Sequence, residues 1–532
     1  MDKIIIFDTT LRDGTQREGL SLSVEDKLKI ARLLDGFGVA YIEGGWPGSN
    51  PKDAEFFRRA RQLGLKQAKV TAFGSTRRAG RRAEDDANLK ALLAAETPAV
   101  ALVGKSWTLH VERVLETTLE ENLAMIGESV RWMKQQGREV VYDAEHFFDG
   151  WRADAGYALR TLRAAAEAGA DWIVLCDTNG GSLPGWVASV VSDVRRQLPA
   201  ARLGIHTHND GELAVANALA GVEAGCAQVQ GTINGYGERC GNANLISVIP
   251  ALQLKLGRRC VPDKSLERLT EVSRTVSEIA NLSPDTHAPY VGASAFAHKG
   301  GIHVAAVEKV AVSYEHVSPD RVGNRRRIVV SELSGRGNVR VRATEMGVKV
   351  NGNERAVLER IKELESRGFQ FEAAEGSFEL LVRQSAPSYQ KPFQLLNVKV
   401  MAERHNGAEM LAEATVKLRV GDKVIHTAAE GNGPVNALDG ALRKALVPCY
   451  PALAEVRLAD YKVRIIDPES ATGATTRVLI EAARGDQRWS TVGCSKNIIE
   501  ASCQALADSL ELFIVRMGAH ALPPKAREME VS

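Results

Sequence analysis

Two histidines, one residue apart, stand at the end of a short apolar run. His206 and His208 lie in GIHTHND, residues 204–210. Because residues i and i+2 of a β-strand point to the same face, both imidazoles would enter one small volume. That arrangement suits a divalent metal ion, but an isolated H-x-H pair is more often two hydrogen-bonded loop histidines. The elements around the pair decide between these interpretations.

The first 260 residues alternate short β-rich runs with amphipathic segments, such as the one that starts after the predicted N-cap Ser23. Eight such units in about 250 residues are typical of a (β/α)₈ barrel, so we predict an α/β chain with an N-terminal TIM barrel. A doubly wound open sheet is the alternative. The predicted strands are 3–7, 39–43, 68–73, 99–103, 139–143, 172–176, 202–206 and 227–231.

Polar residues follow nearly every predicted strand, at the end where such barrels carry their active sites. Asp13, His206, His208 and Asn242 would offer two oxygens and two nitrogens, a set that suits Mn²⁺, Mg²⁺, Co²⁺ or Zn²⁺ without choosing among them. The strand ends carry, in order, Asp8 with Arg12 and Asp13, Glu43, Ser75, Lys105, Asp143 with Glu145, Asp177 with Thr178, His206 with His208, and Asn234 with Glu238 and Asn242.

The composition argues against several classes of function. The 532 residues are 44% hydrophobic, and 68 basic residues balance 66 acidic ones, so nothing indicates a nucleic-acid or membrane partner. The start MDKIIIFDTT lacks a secretory apolar region, and the seven cysteines never form a C-x-x-C pair. These features predict a cytoplasmic protein with reduced thiols and a small-molecule substrate.

Three long motifs carry a family resemblance. DTTLRDGTQREG (8–19), HTHND (206–210) and NGYGERCGNANL (234–245) resemble the signatures of the acyl-CoA-dependent Claisen-condensing barrels, the α-isopropylmalate, homocitrate and citramalate synthases. The similarity continues through AFAHKGGIHVAAV (295–307) and YEHVSPDRVGN (314–324). EGGWPGSNPKD and DAEHFFDG are most similar to the citramalate synthases of this family.

The resemblance implies a reaction and a role for each residue. Acetyl-CoA would condense with pyruvate, and water would then release citramalate and free CoA, in isoleucine biosynthesis. The metal ligands again fall on Asp13, His206, His208 and Asn242. Arg12 would bind the ketone oxygen, Glu145 with His298 would remove the methyl proton, Tyr314 would assist, and Asp143 and Thr178 would contact the substrate.

Some of these residues have simpler interpretations. Glu145 and His298 could form a buried ion pair, Arg12 could be a structural partner of Glu43, and Tyr314 could pack in a core. Asp143 departs from the small or aromatic residues seen at its position in relatives, so the substrate-pocket rules of the family do not transfer directly.

The second half of the chain contains an internal repeat. Residues 415–442 and 476–506 share a strand, a Gly-Asp turn, a second strand and a helix, so we predict two hairpins. We expect a barrel at 1–264, linker subdomains at 265–390 and a regulatory or dimerisation domain at 391–520. Within the last, Gly431, Gly433 and Gly493 are the predicted contacts of a feedback inhibitor, isoleucine, in a homodimer. We interpret 331–339 as a plain loop.

Alternative functions remain open at this point. The nearest are 2-isopropylmalate synthase and homocitrate synthase, followed by a lyase or aldolase on the same barrel. A biotin-dependent carboxyltransferase is disfavoured because the chain has no Met-Lys-Met segment. A catalytically inactive amino-acid sensor is the alternative from a different class, and the intact polar set of the barrel argues against it.

Overall fold

Eight parallel strands close into a barrel in which β1 pairs with both β2 and β8. The predicted TIM barrel is confirmed, and the open doubly wound sheet is wrong. The strands are β1 (Ile5–Asp8), β2 (Tyr41–Gly45), β3 (Lys69–Ser75), β4 (Ala99–Lys105), β5 (Glu139–Glu145), β6 (Trp172–Asp177), β7 (Leu203–Thr207) and β8 (Gln228–Gly231). This computed structural model describes residues 3–350, 352–404 and 410–518.

Helices cover the outside of the barrel and bury their apolar faces against the strands. Helix α1 begins as predicted, because Ser23 Oγ accepts a hydrogen bond from the Asp26 backbone N–H at 3.2 Å. The helices of this unit are α1 (Val24–Phe37), α2 (Pro51–Ala60), α3 (Ala87–Ala94), α4 (Thr108–Arg113), α5 (Leu119–Gln135), α6 (Phe147–Ala153), α7 (Ala155–Glu167), α8 (Pro184–Gln197), α9 (Ala214–Ala224), α10 (Leu245–Pro250), α11 (Asp263–Leu266) and α12 (Leu269–Ile279).

The chain divides into two compact units. The first ends at Phe296 and takes in Val317–Arg326, whereas the second comprises Ala297–His316 and the chain from Arg327 onward. The second unit begins with β9 (Ala297–His298), α13 (Gly301–Lys309), β10 (Arg327–Ile328), α14 (Arg336–Glu345), α15 (Glu354–Ser366) and α16 (Glu375–Gln384). The interpretation of 331–339 as a plain loop is wrong at its end, because Asn338 Oδ1 accepts from the Gly335 N–H and starts α14.

The predicted repeat is present as two copies of a three-stranded antiparallel sheet followed by a helix. Each predicted hairpin turns at a glycine with positive φ, Gly421 (54°) in the first copy and Gly485 (56°) in the second. The first copy is β11 (Gln394–Glu403), β12 (Leu411–Val420), β13 (Lys423–Gly431) and α17 (Pro434–Leu446). The second is β14 (Arg457–Ile465), β15 (Thr476–Arg484), β16 (Gln487–Ser495) and α18 (Ile498–Arg516).

The two copies bury one joint apolar core. Of the predicted domain 391–520, residues 405–409 and 519–520 lie outside the described residues. The boundaries proposed from the sequence, 1–264, 265–390 and 391–520, remain a proposal. Among the described residues, no helix has the length and apolar character that crossing a bilayer requires.

Candidate active site

The two histidines of β7 meet inside the barrel rim, as their spacing predicts. Their Nε2 atoms lie 3.2 Å apart, and both side chains are buried. Thr207, between them, points the other way and donates to the Ala214 carbonyl of α9. Two imidazole nitrogens held face to face repel each other through their lone pairs unless a proton or a cation lies between them. The pair is therefore built for a shared positive ion.

Asp13 and Asn242 approach the same point from neighbouring loops. Asp13 Oδ2 lies 3.4 Å from His206 Nε2 and 3.9 Å from His208 Nε2. These three residues offer ligand atoms within 4.8 Å of one another, a possible metal-binding site. The backbone of Asn242 forms an isolated β-bridge with that of His208, and its side-chain Nδ2 donates to Asp13 Oδ2 at 2.9 Å.

Two buried polar atoms at this point have no hydrogen-bond partner among the described residues, Asn242 Oδ1 and His208 Nδ1. A buried amide oxygen without a partner costs free energy unless a cation or a donor satisfies it. Turning the Asn242 amide over would place this oxygen beside Asp13 and His206, where it could serve as the predicted fourth ligand. The donor set thus fits a divalent ion with mixed oxygen and nitrogen ligands.

The electrostatics of the rim favour a cation. Three buried carboxylates, of Asp13, Glu43 and Asp143, surround one guanidinium, that of Arg12. Burial raises the pKa of Glu43 to about 7 against the attraction of Arg12, and burial likewise raises the pKa of Asp143 to about 6. Burial alone would raise the pKa of Asp13, but Arg12 and His206 hold this pKa well below its usual range. Bound divalent charge would offset this excess of buried carboxylates.

A buried hydrogen-bond chain fixes the orientation of His206. Gln230, on β8, accepts from His206 Nδ1 through its Oε1 at 2.9 Å and donates through Nε2 to Asp143 Oδ1 at 2.9 Å. Because the Asp143 carboxylate accepts, the amide NH₂ of Gln230 faces it and the amide oxygen faces the imidazole. His206 Nδ1 therefore carries the proton, and Nε2 keeps its lone pair for a metal. Sequence reasoning missed Gln230.

Arg12 is held rigidly at the mouth of this site. Its Nε donates to Glu43 Oε2 at 2.6 Å, and its guanidinium lies 3.8 Å above the Phe73 ring. The predicted Arg12–Glu43 contact is present. Since Nε donates to Glu43 and Nη1 lies 3.5 Å from Asp13 Oδ2, Nη2 stays available to an oxygen atom in the cavity.

A cavity of about 630 Å³ opens beside these groups at the carboxyl ends of the strands. It brings together Arg12, Asp13, Glu145, Thr178 and His208, all predicted from the sequence, whereas Asp143 is not part of its lining. Its apolar wall is formed by Trp46, Phe73, Val103, Leu115 and Met125. The cavity combines charged groups at one end with an apolar surface, as an acyl substrate requires.

Glu145 and Thr178 have structural partners within this rim. Glu145 forms an ion pair with Lys105, its neighbour in the β4–β5 register. Thr178 Oγ1 accepts from the His146 backbone N–H at 2.9 Å, which leaves its hydroxyl proton for another acceptor. Their catalytic and substrate-binding roles stay predictions.

His298 and Tyr314 belong to the second unit. His298 is buried on β9, and its Nε2 lies 3.3 Å from Glu315 Oε1. Tyr314 is exposed and stacks on His303, with ring centroids 4.2 Å apart, so it does not pack in a core. The pairing of Glu145 with His298 stays a prediction.

The predicted inhibitor-contacting glycines occupy different environments. A Cβ at Gly493 would lie 1.9 Å from the Ala501 carbonyl oxygen, and one at Gly431 would lie 2.5 Å from the Ala437 nitrogen. These two glycines thus allow strand and helix to approach closely, while Gly433 has open space around it. Their role in ligand binding stays a prediction.

A separate cavity of about 880 Å³ lies in the second unit. Leu380 and Val398 contribute to its apolar wall, and Lys391, Glu500 and Asp508 contribute charged groups. Pro434, next to Gly433, lines it, but none of the three predicted glycines does.

Comparisons with known proteins agree with this geometry. Residues 3–276 match the HMGL-like family, residues 290–368 the homocitrate synthase post-HMGL domain-like family, and residues 372–514 the LeuA allosteric (dimerisation) domain.

Full-length relatives extend the match over nearly the whole chain. The (R)-citramalate synthase of Geobacter sulfurreducens is 53% identical, over 96% of this chain and 97% of that protein. The (R)-citramalate synthase of a Synechocystis species is 54% identical over 95% of each. A probable 2-isopropylmalate synthase of Methanopyrus kandleri is 33% identical, over 95% of this chain and 97% of that protein. The predicted resemblance is thus confirmed, and the chain belongs to the (R)-citramalate synthase family of HMGL-like barrel enzymes.

Proposed function

We propose that this chain is an (R)-citramalate synthase, an acyltransferase that converts acetyl-CoA, pyruvate and water into (R)-citramalate and CoA. The observation that carries the proposal is the Asp13, His206 and His208 cluster beside Arg12, in a barrel whose relatives with this name align over nearly their whole length. The more distant 2-isopropylmalate synthase leaves a larger keto acid as the alternative substrate.

The keto acid would bind between the metal centre and Arg12. Asp13, His206, His208 and Asn242 would hold a divalent ion, which when bound would supply Lewis-acid polarisation of the keto acid's carbonyl. Arg12 donates an N–H to the ketone oxygen and stabilises the negative charge that develops there as the new carbon–carbon bond forms. Because Glu43 and Phe73 fix the guanidinium beforehand, little reorganisation is needed during the reaction.

A base must remove a methyl proton from acetyl-CoA. We assign this task to Glu145 and His298, the two groups that the family resemblance implies for proton removal. The methyl carbon then attacks the keto carbon, and water cleaves the thioester, so CoA leaves as a thiol. Lys105, paired with Glu145, holds this carboxylate at the cavity wall. Tyr314 and Thr178 are the proposed assisting and substrate-contacting groups.

A thiol-release assay over a panel of keto acids tests the proposal. With acetyl-CoA and added divalent metal, kcat/KM should be highest for pyruvate. A higher kcat/KM for 2-ketoisovalerate or 2-ketoglutarate would instead identify an isopropylmalate or homocitrate synthase. Cleavage of hydroxy-acyl-CoA without condensation would identify a lyase.

We further propose that isoleucine, the end product to which citramalate leads, binds the second unit and lowers activity in a homodimer. Support comes from the match of residues 372–514 to an allosteric and dimerisation domain and from the cavity beside α18. Allosteric couplings are typically about 1–3 kcal/mol, so inhibition should be substantial without being complete. Calorimetry that detects no isoleucine binding to the intact protein would reduce this domain to a dimerisation element.

A cytoplasmic location is part of the same proposal. All seven cysteines are free thiols, six of them buried, as is usual in a reducing compartment. Fractionation of cells that produce the intact protein would test it, with activity expected in the cytosolic fraction.

A further inference from the structure

A loop rich in arginine follows β3 at the carboxyl end of the barrel. Residues 76–82, TRRAGRR, contain four arginines in seven positions. Of these, Arg77 is buried, whereas Arg78, Arg81 and Arg82 are exposed. The proposed metal and proton-transfer chemistry uses none of them. We call residues 76–82 the arginine loop.

Arg77 anchors the arginine loop to helix α5. Its Nε donates to Glu128 and its NH1 to Glu121, each at 2.7 Å, so its own charge is matched inside the protein. Its backbone N–H donates to Ser129 Oγ at 2.8 Å, and Gly80 N–H donates to the same Glu121 carboxylate at 2.8 Å. Four hydrogen bonds from two positions thus fix the loop before any ligand arrives.

The three exposed arginines of the loop have fewer protein partners than Arg77. Arg78 N–H donates to Asp86 Oδ2 at 2.9 Å, which fixes its backbone but leaves its guanidinium unused. Arg82 pairs with Glu84. In the part of the chain that the structure describes, no carboxylate pairs with Arg78 or Arg81. Two positive charges therefore project from the arginine loop with no counter-ion among the described residues.

The arginine loop borders the cavity of the candidate active site. Arg77, Arg78 and Ala79 line the same 630 Å³ space as Arg12 and Glu145. A long substrate whose reactive end lies at Arg12 therefore has the loop beside it within the same cavity. Acetyl-CoA is such a molecule, since its thioester lies at one end and its diphosphate and 3′-phosphate at the other.

We propose that the arginine loop is the phosphate subsite for acetyl-CoA, with Arg78 and Arg81 as its principal donors. Guanidinium groups bind phosphate through two parallel charge-assisted hydrogen bonds, and a preorganised loop loses little entropy on binding. The proposal rests on the proposed function, because it takes acetyl-CoA as the substrate. It goes beyond that function by naming the part of the substrate that the loop recognises.

The test compares acyl donors that share the acetyl-pantetheine end and differ in the 3′-phosphate or in the whole nucleotide. Wild type and the double variant Arg78→Gln/Arg81→Gln are assayed with acetyl-CoA, with 3′-dephospho-acetyl-CoA and with acetyl-pantetheine, which lacks the nucleotide. The ratio of kcat/KM for acetyl-CoA to that for acetyl-pantetheine should fall about tenfold or more, because the variant loses charge-assisted hydrogen bonds to phosphate. The dephospho donor shows which phosphate is bound.

A matched control carries the same change of charge elsewhere on the barrel. Arg58→Gln/Arg196→Gln removes two exposed arginines from α2 and α8 and should leave the ratio unchanged. An unchanged ratio in Arg78→Gln/Arg81→Gln, or an equal fall in the control, would overturn the phosphate subsite.

Calorimetry with CoA and with pantetheine separates failure of the subsite from failure of the proposed function, because it needs no turnover. Weaker CoA binding by the double variant, with pantetheine binding unaltered, supports the subsite. Equal CoA binding by variant and wild type overturns it. An enzyme that releases no thiol with any keto acid would refute the proposed function alone.

Discussion

Replacing Gln230 by methionine tests the hydrogen-bond chain behind the metal centre. The substitution keeps the side-chain length but removes the acceptor for His206 Nδ1–H and the donor to Asp143, two hydrogen bonds of 2.9 Å. The imidazole can then exchange tautomers and rotate, so that Nε2 carries a proton for part of the time. Loss of such an orienting partner typically weakens metal binding about 10–100-fold, which corresponds to about 1.4–2.7 kcal/mol.

Gln228 provides the matched control for this experiment. It lies two residues earlier on β8, is fully buried, and neither Nε2 nor Oε1 has a hydrogen-bond partner among the described residues. Metal-stripped wild type, Gln230→Met and Gln228→Met would be titrated with Mn²⁺ by calorimetry. Only Gln230→Met should show a raised dissociation constant. Equal constants in all three proteins, or equal losses in both variants, would refute the reasoning.

Three further predictions follow from other parts of the structure. His206→Ala should abolish both metal retention, measured by elemental analysis after dialysis, and turnover; a variant that retains one metal per chain would contradict the ligand assignment. Gly493→Ala should lower the free energy of unfolding by about 1–3 kcal/mol in calorimetry, because its Cβ would lie 1.9 Å from a carbonyl oxygen, whereas Gly433→Ala should have little effect. Burial raises the pKa of Asp508 to about 7, so the folded chain keeps a proton that the unfolded chain releases above about pH 4. The free energy of unfolding should therefore fall between about pH 4 and pH 7. In urea titrations, Asp508→Asn should make this fall less steep by up to about 1.4 kcal/mol per pH unit. The same pH dependence in variant and wild type would contradict the raised pKa of Asp508.

The sequence predicted the barrel because each strand is a short β-rich run between amphipathic helices. All eight predicted strands are present, and several extend one or two residues further toward their carboxyl ends, as β5 does to Glu145. The ladder continues through these polar residues because their side chains face the barrel interior and its rim. The two glycine-aspartate hairpins were predictable for a local reason, since a two-residue turn favours glycine with positive φ.

The contact of Gln230 with Asp143 could not be predicted from the strand pattern. Strands β5 and β8 are not neighbours, so only closure of the barrel brings these two side chains together across its interior. The signal in the sequence was weak: two glutamines, 228 and 230, on one face of a β-rich run. The Lys105–Glu145 pair, in contrast, follows from the register of adjacent parallel strands and was within reach.

The most direct test of the proposed function follows the atoms of the reaction. Acetyl-CoA labelled with ¹³C at the acetyl methyl carbon would be incubated with pyruvate and metal-loaded protein in H₂¹⁸O. We predict citramalate in which the labelled carbon is a methylene bonded to the carbinol carbon, with one ¹⁸O in the new carboxylate and one CoA released per citramalate; metal-stripped protein should form none. Labelled acetate with no new carbon–carbon bond, or equal citramalate formation by metal-stripped protein, would contradict the metal-dependent condensation.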